Sequence, residues 1–195
     1  MSVGAATNIA HALKKYPALS QEAAGIIYMG GDIDVPGNAT PAAEMNWYYD
    51  PDAVKLCLAA NWKKQLIIPD DLSRHIRLTQ AFYDRLAVSN TNPITRFILP
   101  GKKTFTEDSA NYVWDVLVPV IFLKPGIITD LQERYITVDS TPGINSGRAV
   151  SWTQHEHNDM KTGRGFPDGV RKADIVMGID APAFWDFYVE MLTMK

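Results

Sequence analysis

Three polar side chains of a kind that binds sugar hydroxyls stand close together in residues 36–53, PGNATPAAEMNWYYDPDA. Asn38 and Asn46 can each donate and accept hydrogen bonds, and the Glu44 carboxylate only accepts. Vicinal hydroxyls donate one bond and accept another, so this set suits recognition of a polyol. The set also suits turn chemistry, because Asn bonds its own backbone in loops, and Glu44 would then be an exposed charge. The residues alone leave both interpretations open.

Asp115 is the one charged residue in the apolar run YVWDVLVPVIFL, residues 112–123. An unpaired buried carboxylate is costly, so a positive partner is expected. No Lys or Arg lies between positions 104 and 123, which leaves a distant basic side chain, a helix N-terminus or a metal ion. Pro119 favours a helix that begins near Asp115. Asp115 as the N-cap of that helix is the simplest alternative.

Two further groups have both an ordinary and a functional interpretation. Trp114 is either a core residue or an aromatic platform, and stacking a base on such a ring contributes about 1–3 kcal/mol. His155, His157 and Asp159 have metal-like spacing. They fall in a stretch rich in glycine, where an exposed polar turn is the simpler interpretation.

The composition predicts one globular domain and excludes several classes of protein. The chain has 195 residues, of which 46% are hydrophobic, enough for one substantial core. A net charge of -3 and a pI near 5.8 give no basic surface, so no nucleic-acid polymer is expected as a partner. No apolar stretch reaches the roughly 20 residues that span a bilayer, and no membrane partner is expected. The single cysteine, Cys57, excludes an internal disulfide and is predicted to be buried.

Short apolar runs alternate with helical patterns along the chain. The segments GIIYMGG, QLIIP and ADIVMGID predict buried strands. A helix is predicted to begin at Asp50, with Pro51 in its first turn, and the amphipathic stretch 70–88 predicts another. The segments ERYITVD and GRAVSWTQ predict late strands of a hairpin or a mixed sheet edge. This alternation is typical of an α/β fold with a mostly parallel sheet, whose ligands bind beyond the carboxyl ends of the strands.

The first residues, MSVGAATNIAHALKKYP, fit the end of a strand, a tight turn and then a helix. That helix would take Thr7 or Asn8 as its N-cap and stop before Pro17. A parallel sheet needs a full strand before each crossover helix. We therefore expect the chain to begin in the middle of a βα unit, with the first strands missing from it.

Four segments, in order, resemble the C-terminal part of the inosine-uridine type nucleoside hydrolases. They are GAATNIAHAL, MGGDIDVPGNATPAAEMNWYYDPDA, YVWDVL and ADIVMGIDAPAFWDFYVEML. The second segment is the most specific. The resemblance implies that residues 1–195 form the C-terminal part of a single, doubly wound α/β domain with a calcium ion at the strand ends. It also implies hydrolysis of the N-glycosidic bond of ribonucleosides by a homo-oligomer, either a dimer or a tetramer.

The resemblance assigns a sugar-binding role to the polar loop. Asn38, Glu44 and Asn46 match the residues that hold the ribose hydroxyls in that family. Met29 lies in the MGG stretch that lines the sugar. The resemblance thus implies that the loop reads ribose, and that 2′-deoxynucleosides are poor substrates.

The metal and base positions of the family are matched in part. Thr7 matches a threonine whose main-chain carbonyl oxygen binds calcium, and Asp115 matches a carboxylate ligand. Trp114 stands where purine-preferring members carry a tryptophan that stacks on the base and helps it depart. Trp114 and Asp115 are therefore the expected catalytic residues, and purine nucleosides the expected substrates. Val116 departs from the proline that many members have after the aspartate.

One motif of the family is missing from this sequence. An aspartate cluster of the form DxDxGxDD supplies the remaining calcium ligands and the general base, and nothing here matches it. The chain is therefore expected to hold the ribose site and part of the metal site, with the rest in a longer protein or on a separate N-terminal polypeptide. The alternatives are a nucleoside or ribose sensor, and a fragment that cannot fold unaided because its sheet exposes an unpaired edge.

Overall fold

The computed structural model describes residues 1–88, 92–106, 111–153 and 166–194. His155, His157 and Asp159 lie outside these ranges. The described strands are β1 Ile26–Met29, β2 Gln65–Ile68, β3 Ile128–Val138, β4 Ala149–Trp152 and β5 Arg171–Ile179. They form one sheet of order β1-β2-β5-β3-β4.

The sheet is parallel at one end and antiparallel at the other. β1 pairs with β2 and β2 with β5 in parallel. β5 pairs with β3 and β3 with β4 in antiparallel fashion. Antiparallel neighbours need only a short connection, and residues 139–148 join β3 directly to β4. The α/β class and the late hairpin are confirmed, and the described strands form a mixed sheet.

Nine α-helices are described around this sheet. They are α1 Thr7–Lys15, α2 Leu19–Glu22, α3 Met45–Tyr49, α4 Pro51–Ala59, α5 Asp70–Ser73, α6 Gln80–Val88, α7 Pro93–Ile98, α8 Leu117–Leu123 and α9 Ala181–Thr193. Two 3₁₀ helices cover Leu99–Thr104 and Pro125–Ile127. None of the described helices is long and apolar enough to cross a membrane.

Helices cover both faces of the sheet, because successive strand residues point to opposite faces. On one face, Ile67 and Ile175 pack against α1 and α4. On the other, Ile68 and Val176 pack against α8 and α9. This is the doubly wound arrangement that the resemblance implies. Cys57 is buried in the first core, as predicted, and burial raises the pKa of its thiol to about 12, which makes it a poor nucleophile.

The starts of two helices show where local sequence signals succeed and fail. Asp50 caps α4 by accepting a hydrogen bond from the N–H of Ala53, with Pro51 following, as predicted. The predicted N-cap of α1, Thr7 or Asn8, is wrong, since the cap position is Ala6 and no side chain caps the helix. The hydroxyl of Thr7 instead donates to Oδ2 of Asp50 at 2.5 Å.

The single helix predicted over residues 70–88 is also wrong. The chain forms the short α5, breaks, and resumes helix at α6. In the break, the carbonyl oxygen of Ile76 accepts from the N–H of Val113, and the N–H of Leu78 donates to Asn111. Pairing with a segment that is distant in sequence therefore overrides the local helical pattern.

Candidate functional site

The predicted sugar residues lie at the carboxyl end of β1. Met29 ends this strand, and the others lie in residues 30–46, which we call the 30–46 loop. The chain leaves β1 through Gly30 and Gly31, and the φ of +85° at Gly31 favours glycine. A Cβ atom on Gly30 would lie 2.4 Å from Nε1 of Trp47, so this indole packs directly on the backbone. Ligands of parallel sheets bind at such strand ends.

Glu44 is buried and forms the N-cap of α3. Its carboxylate accepts three backbone bonds, from Asn46 at 2.8 Å, Gly31 at 3.0 Å and Trp47 at 3.2 Å. Burial raises the pKa of Glu44, although these three N–H donors act in the opposite direction. Because Glu44 is only 2% exposed, the alternative that it is an exposed loop charge is wrong.

Asn38 and Asn46 make hydrogen bonds to the neighbouring backbone. Oδ1 of Asn38 accepts from the N–H of Met45 at 2.9 Å. Nδ2 of Asn46 donates to the carbonyl oxygen of Met29 at 3.1 Å and lies 3.3 Å from its Sδ. The structure therefore brings together the four predicted sugar residues. The alternative of turn chemistry applies to the same side chains, but no bond between described residues uses Nδ2 of Asn38 or Oδ1 of Asn46.

Sequence reasoning missed a group of buried acids near Glu44. Asp32 is 4% exposed, and neither of its carboxylate oxygens has a hydrogen-bond partner among the described residues. Nη2 of Arg74 lies 3.8 Å from Asp32. Burial, followed by the charges of Asp70 and Glu44, raises the pKa of Asp32 to about 8. This shift favours the protonated form of Asp32.

Asp71, a second acid of this group, holds the start of the 30–46 loop by hydrogen bonds. Asp71 accepts from the backbone N–H groups of Ile33 and Asp34, both at 2.8 Å. One sequence signal could have identified the group, since Asp32 closely follows β1 while Asp70 and Asp71 follow β2. Neighbouring parallel strands bring their carboxyl ends to one edge of the sheet.

Trp114 lies between this acidic group and an aromatic cleft. Its Nε1 donates to Oδ1 of Asp70 at 2.7 Å. Its ring meets Tyr112 edge-on, with 5.9 Å between centroids. Phe82 and Tyr188 also line the cleft, which has a volume of about 300 Å³. Trp114 is 37% exposed, so it is not a fully buried core residue.

Asp115 has few partners in the structure. It precedes Val116, the N-cap of α8, which receives no side-chain cap bond. The alternative of Asp115 as a helix N-cap is therefore wrong, although Pro119 does lie in the first turn of α8, as expected. Asp115 is exposed, so the expectation of a buried charge that requires a positive partner is wrong, although partial desolvation raises its pKa. No Lys, Arg or His of the described ranges forms an ion pair with it.

The predicted metal ligands are not joined to the sugar residues by contacts that the structure describes. No hydrogen bond between described residues links Thr7 or Asp115 to Glu44 or the two asparagines. Within the described ranges, no three His, Cys, Asp or Glu side chains are arranged to hold a metal ion. The roles of Thr7 and Asp115 therefore stay predictions.

Comparison with known proteins assigns the chain to a family. The model of the inosine-uridine preferring nucleoside hydrolases matches residues 1–186. The chain belongs to this family, and the resemblance seen in the sequence is confirmed.

The individual relatives described next share less than 30% sequence identity with this chain. An uncharacterized protein of Schizosaccharomyces pombe is 27% identical over 98% of this chain and 57% of its own length. The pyrimidine-specific ribonucleoside hydrolase RihA of Salmonella schwarzengrund is 28% identical over 77% of this chain and 50% of its own. A purine-preferring ribonucleoside hydrolase from Gardnerella vaginalis shares the fold, with a TM-score of 0.74 and 22% identity, over 98% of this chain and 59% of that one. The chain spans about half the length of the curated relatives it matches.

Proposed function

We propose that this chain is the ribose-binding part of a calcium-dependent enzyme that cleaves the N-glycosidic bond of ribonucleosides and releases base and ribose. The observation that carries the proposal is the buried Glu44 carboxylate, fixed by three backbone N–H groups at the end of β1. A carboxylate held in this way can bind a hydroxyl with little reorganisation. Membership of the family supports the same reaction.

In this proposal, the ribose hydroxyls form hydrogen bonds with Glu44 and with those polar atoms of the loop that have no hydrogen bond to another described residue. Nδ2 of Asn38 donates and Oδ1 of Asn46 accepts. A carboxylate has about four lone-pair sites, so Glu44 keeps one after accepting three N–H bonds. Glycoside cleavage passes through an oxocarbenium-like state. The fixed side chains then orient the sugar and strengthen their contacts as positive charge develops on it.

Calcium is the proposed cofactor, and the two proposed ligands fit it by donor chemistry. Calcium takes about 6–8 oxygen ligands, and the carboxylate of Asp115 and the main-chain carbonyl of Thr7 both offer oxygen. When bound, calcium would lower the pKa of an attacking water. Asp115 also lines the cleft beside Trp114, which supports its role as a ligand near the bound base.

Two ligands leave the proposed metal site incomplete. We propose that the remaining ligands and the general base come from an N-terminal polypeptide segment, and that the complete enzyme is a homo-oligomer. The length of the curated relatives, about twice that of the matched part, supports the first proposal. The second rests on the family resemblance.

Purine nucleosides are the proposed substrates. The partly exposed ring of Trp114 offers a surface on which a base can stack. A purine has the larger face, so it gains more from that contact. The named specificities of the relatives differ between pyrimidine and purine nucleosides, and the choice therefore rests on Trp114. We expect inosine to be bound and cleaved in preference to uridine.

The test is an assay of free ribose with inosine, in the presence of calcium and after chelation. The complete protein should release ribose only with calcium, and this 195-residue chain should bind inosine. Absence of ribose release from the complete protein would refute the proposed hydrolysis. Nucleoside binding without release would favour a sensor, the alternative that follows from the missing aspartate motif.

A further inference from the structure

The indole of Trp114 is held by a buried carboxylate. Its Nε1 donates to Oδ1 of Asp70 at 2.7 Å, and Oδ2 of Asp70 accepts from Nε of Arg74 at 2.9 Å. Asp70 is 2% exposed, and both bonds are partly buried. Hydrogen bonds to a charged group are stronger than neutral ones. Each oxygen of Asp70 therefore has its own donor.

Asp70 and Arg74 also bind the 30–46 loop. The backbone N–H of Asp70 donates to the carbonyl oxygen of Gly31 at 2.9 Å. Nη2 of Arg74 donates to the carbonyl oxygen of Pro36 at 2.6 Å. A continuous set of hydrogen bonds thus connects the sugar-binding loop to the ring of Trp114.

Asp32 does not compete strongly for Arg74. The guanidinium lies 3.8 Å from Asp32 but 2.9 Å from Asp70. Burial and neighbouring carboxylates also raise the pKa of Asp32, which favours its uncharged form. The charge of Arg74 is then directed to Asp70.

We propose that Asp70 is a positioning residue that sets the angle of the Trp114 ring relative to the 30–46 loop, with Arg74 fixing Asp70 in turn. Where it concerns the base, this rests on the proposed function. A ring held at one angle can stack on a base whose ribose is bound by the loop. A tryptophan without this tether must be ordered by the ligand, at a cost in conformational entropy.

The first experiment detects the indole bond without a ligand. Each of the five tryptophans gives one indole N–H signal in an ¹⁵N-tryptophan NMR spectrum, and Trp114→Phe identifies that of Trp114. Asp70→Ala should shift this signal and speed its hydrogen exchange by about tenfold or more. Asp70→Asn keeps an acceptor oxygen and should retain most of the protection. Asp186→Ala, which removes an exposed carboxylate, is the matched control and should leave the signal in place.

The second experiment measures inosine binding to the same variants. Asp70→Ala and Trp114→Phe should each weaken binding by about tenfold, within the range that base stacking provides. The double variant should be no weaker than either single one, because both substitutions remove the same contact. Asp70→Asn should bind nearly as well as the unmodified chain.

Two results would overturn the role of Asp70. One is an unchanged Trp114 indole signal in Asp70→Ala. The other is an additive loss of binding in the double variant, which would mean that Asp70 acts elsewhere. If the unmodified chain binds no inosine, the proposed function fails, and the indole signal alone then decides whether Asp70 positions the ring. If Asp70→Ala does not fold, Arg74→Ala removes the donor that fixes Asp70 and should speed the hydrogen exchange of the Trp114 indole. An unchanged exchange rate in Arg74→Ala would then overturn the proposed positioning.

Discussion

The sugar side and the metal side of the candidate site are built differently. In the 30–46 loop, Glu44 is 2% exposed and accepts three backbone N–H bonds, so the fold alone fixes its position. Asp115 is exposed, caps no helix and has no ion-pair partner in the described ranges. Removing a side chain that holds the fold together, such as Glu44, should lower stability. Removing one that forms no ion pair and caps no helix, such as Asp115, should affect only the binding of a ligand. The comparison predicts that mutation can separate the two sides.

The largest expected effect concerns the sugar itself. If the loop binds ribose hydroxyls, the complete enzyme should cleave 2′-deoxyinosine up to about 10⁴-fold less efficiently than inosine, because polar groups that the bound sugar covers are left unpaired. Comparison of kcat/KM for the two nucleosides measures this. Equal values would contradict a loop built around the 2′-hydroxyl.

Glu44→Ala should lower the free energy of unfolding by about 4 kcal/mol, since it leaves three backbone N–H groups without an acceptor at a buried helix start. Denaturant titration measures the loss. Glu44→Gln keeps one acceptor oxygen and should lose about half as much. Glu190→Ala, at an exposed helical position, is the control. A Glu44→Ala chain as stable as the original would show that the sugar side is not preformed.

Asp32 should make stability depend on pH. Its folded-state pKa of about 8 lies above the unfolded value of about 3.9. The stability it confers is therefore fully present below about pH 4 and lost as pH rises to about 8. The gain of Asp32→Asn over the original chain should grow by at most about 1.4 kcal/mol per pH unit in that window. Unfolding midpoints at several pH values test this, with Asp186→Asn as the exposed control. A gain that falls with pH would contradict the buried-acid assignment.

Asp115→Ala should have the smallest effect on stability and a decisive effect on calcium. We expect the free energy of unfolding to change by less than about 0.5 kcal/mol, because the Asp115 side chain is exposed and forms no ion pair in the described ranges. Calorimetry with the complete protein, which we expect to bind calcium, should show that Asp115→Ala abolishes calcium binding. Unchanged calcium affinity would remove Asp115 from the metal site.

Local patterns in the sequence predicted much of the fold. Asp50 followed by Pro51 marked the start of α4, and the apolar run around Cys57 marked a buried face. The break between α5 and α6 was not predictable in this way. It arises because Ile76 pairs with Val113, and sequence periodicity does not reveal such a distant partner.

The candidate site divides along the same line. The proximity of Asn38, Glu44 and Asn46 was predictable because they lie close together in the sequence. In the structure, Asn38 and Glu44 both accept hydrogen bonds from the first turn of α3. Asp32 and Asp70 come together only because two parallel strands end side by side. Contacts of that kind depend on strand order, which the sequence pattern leaves open.

Glu44 has a consequence for attempts to redesign the protein. The same carboxylate starts a helix and is proposed to read the sugar, so variants at this position should be scarce in the cell because they misfold, before any change of substrate can be observed. A library that seeks a new sugar specificity would need a second substitution that restores the cap of α3. Screens that score activity alone would otherwise mistake loss of folding for loss of recognition.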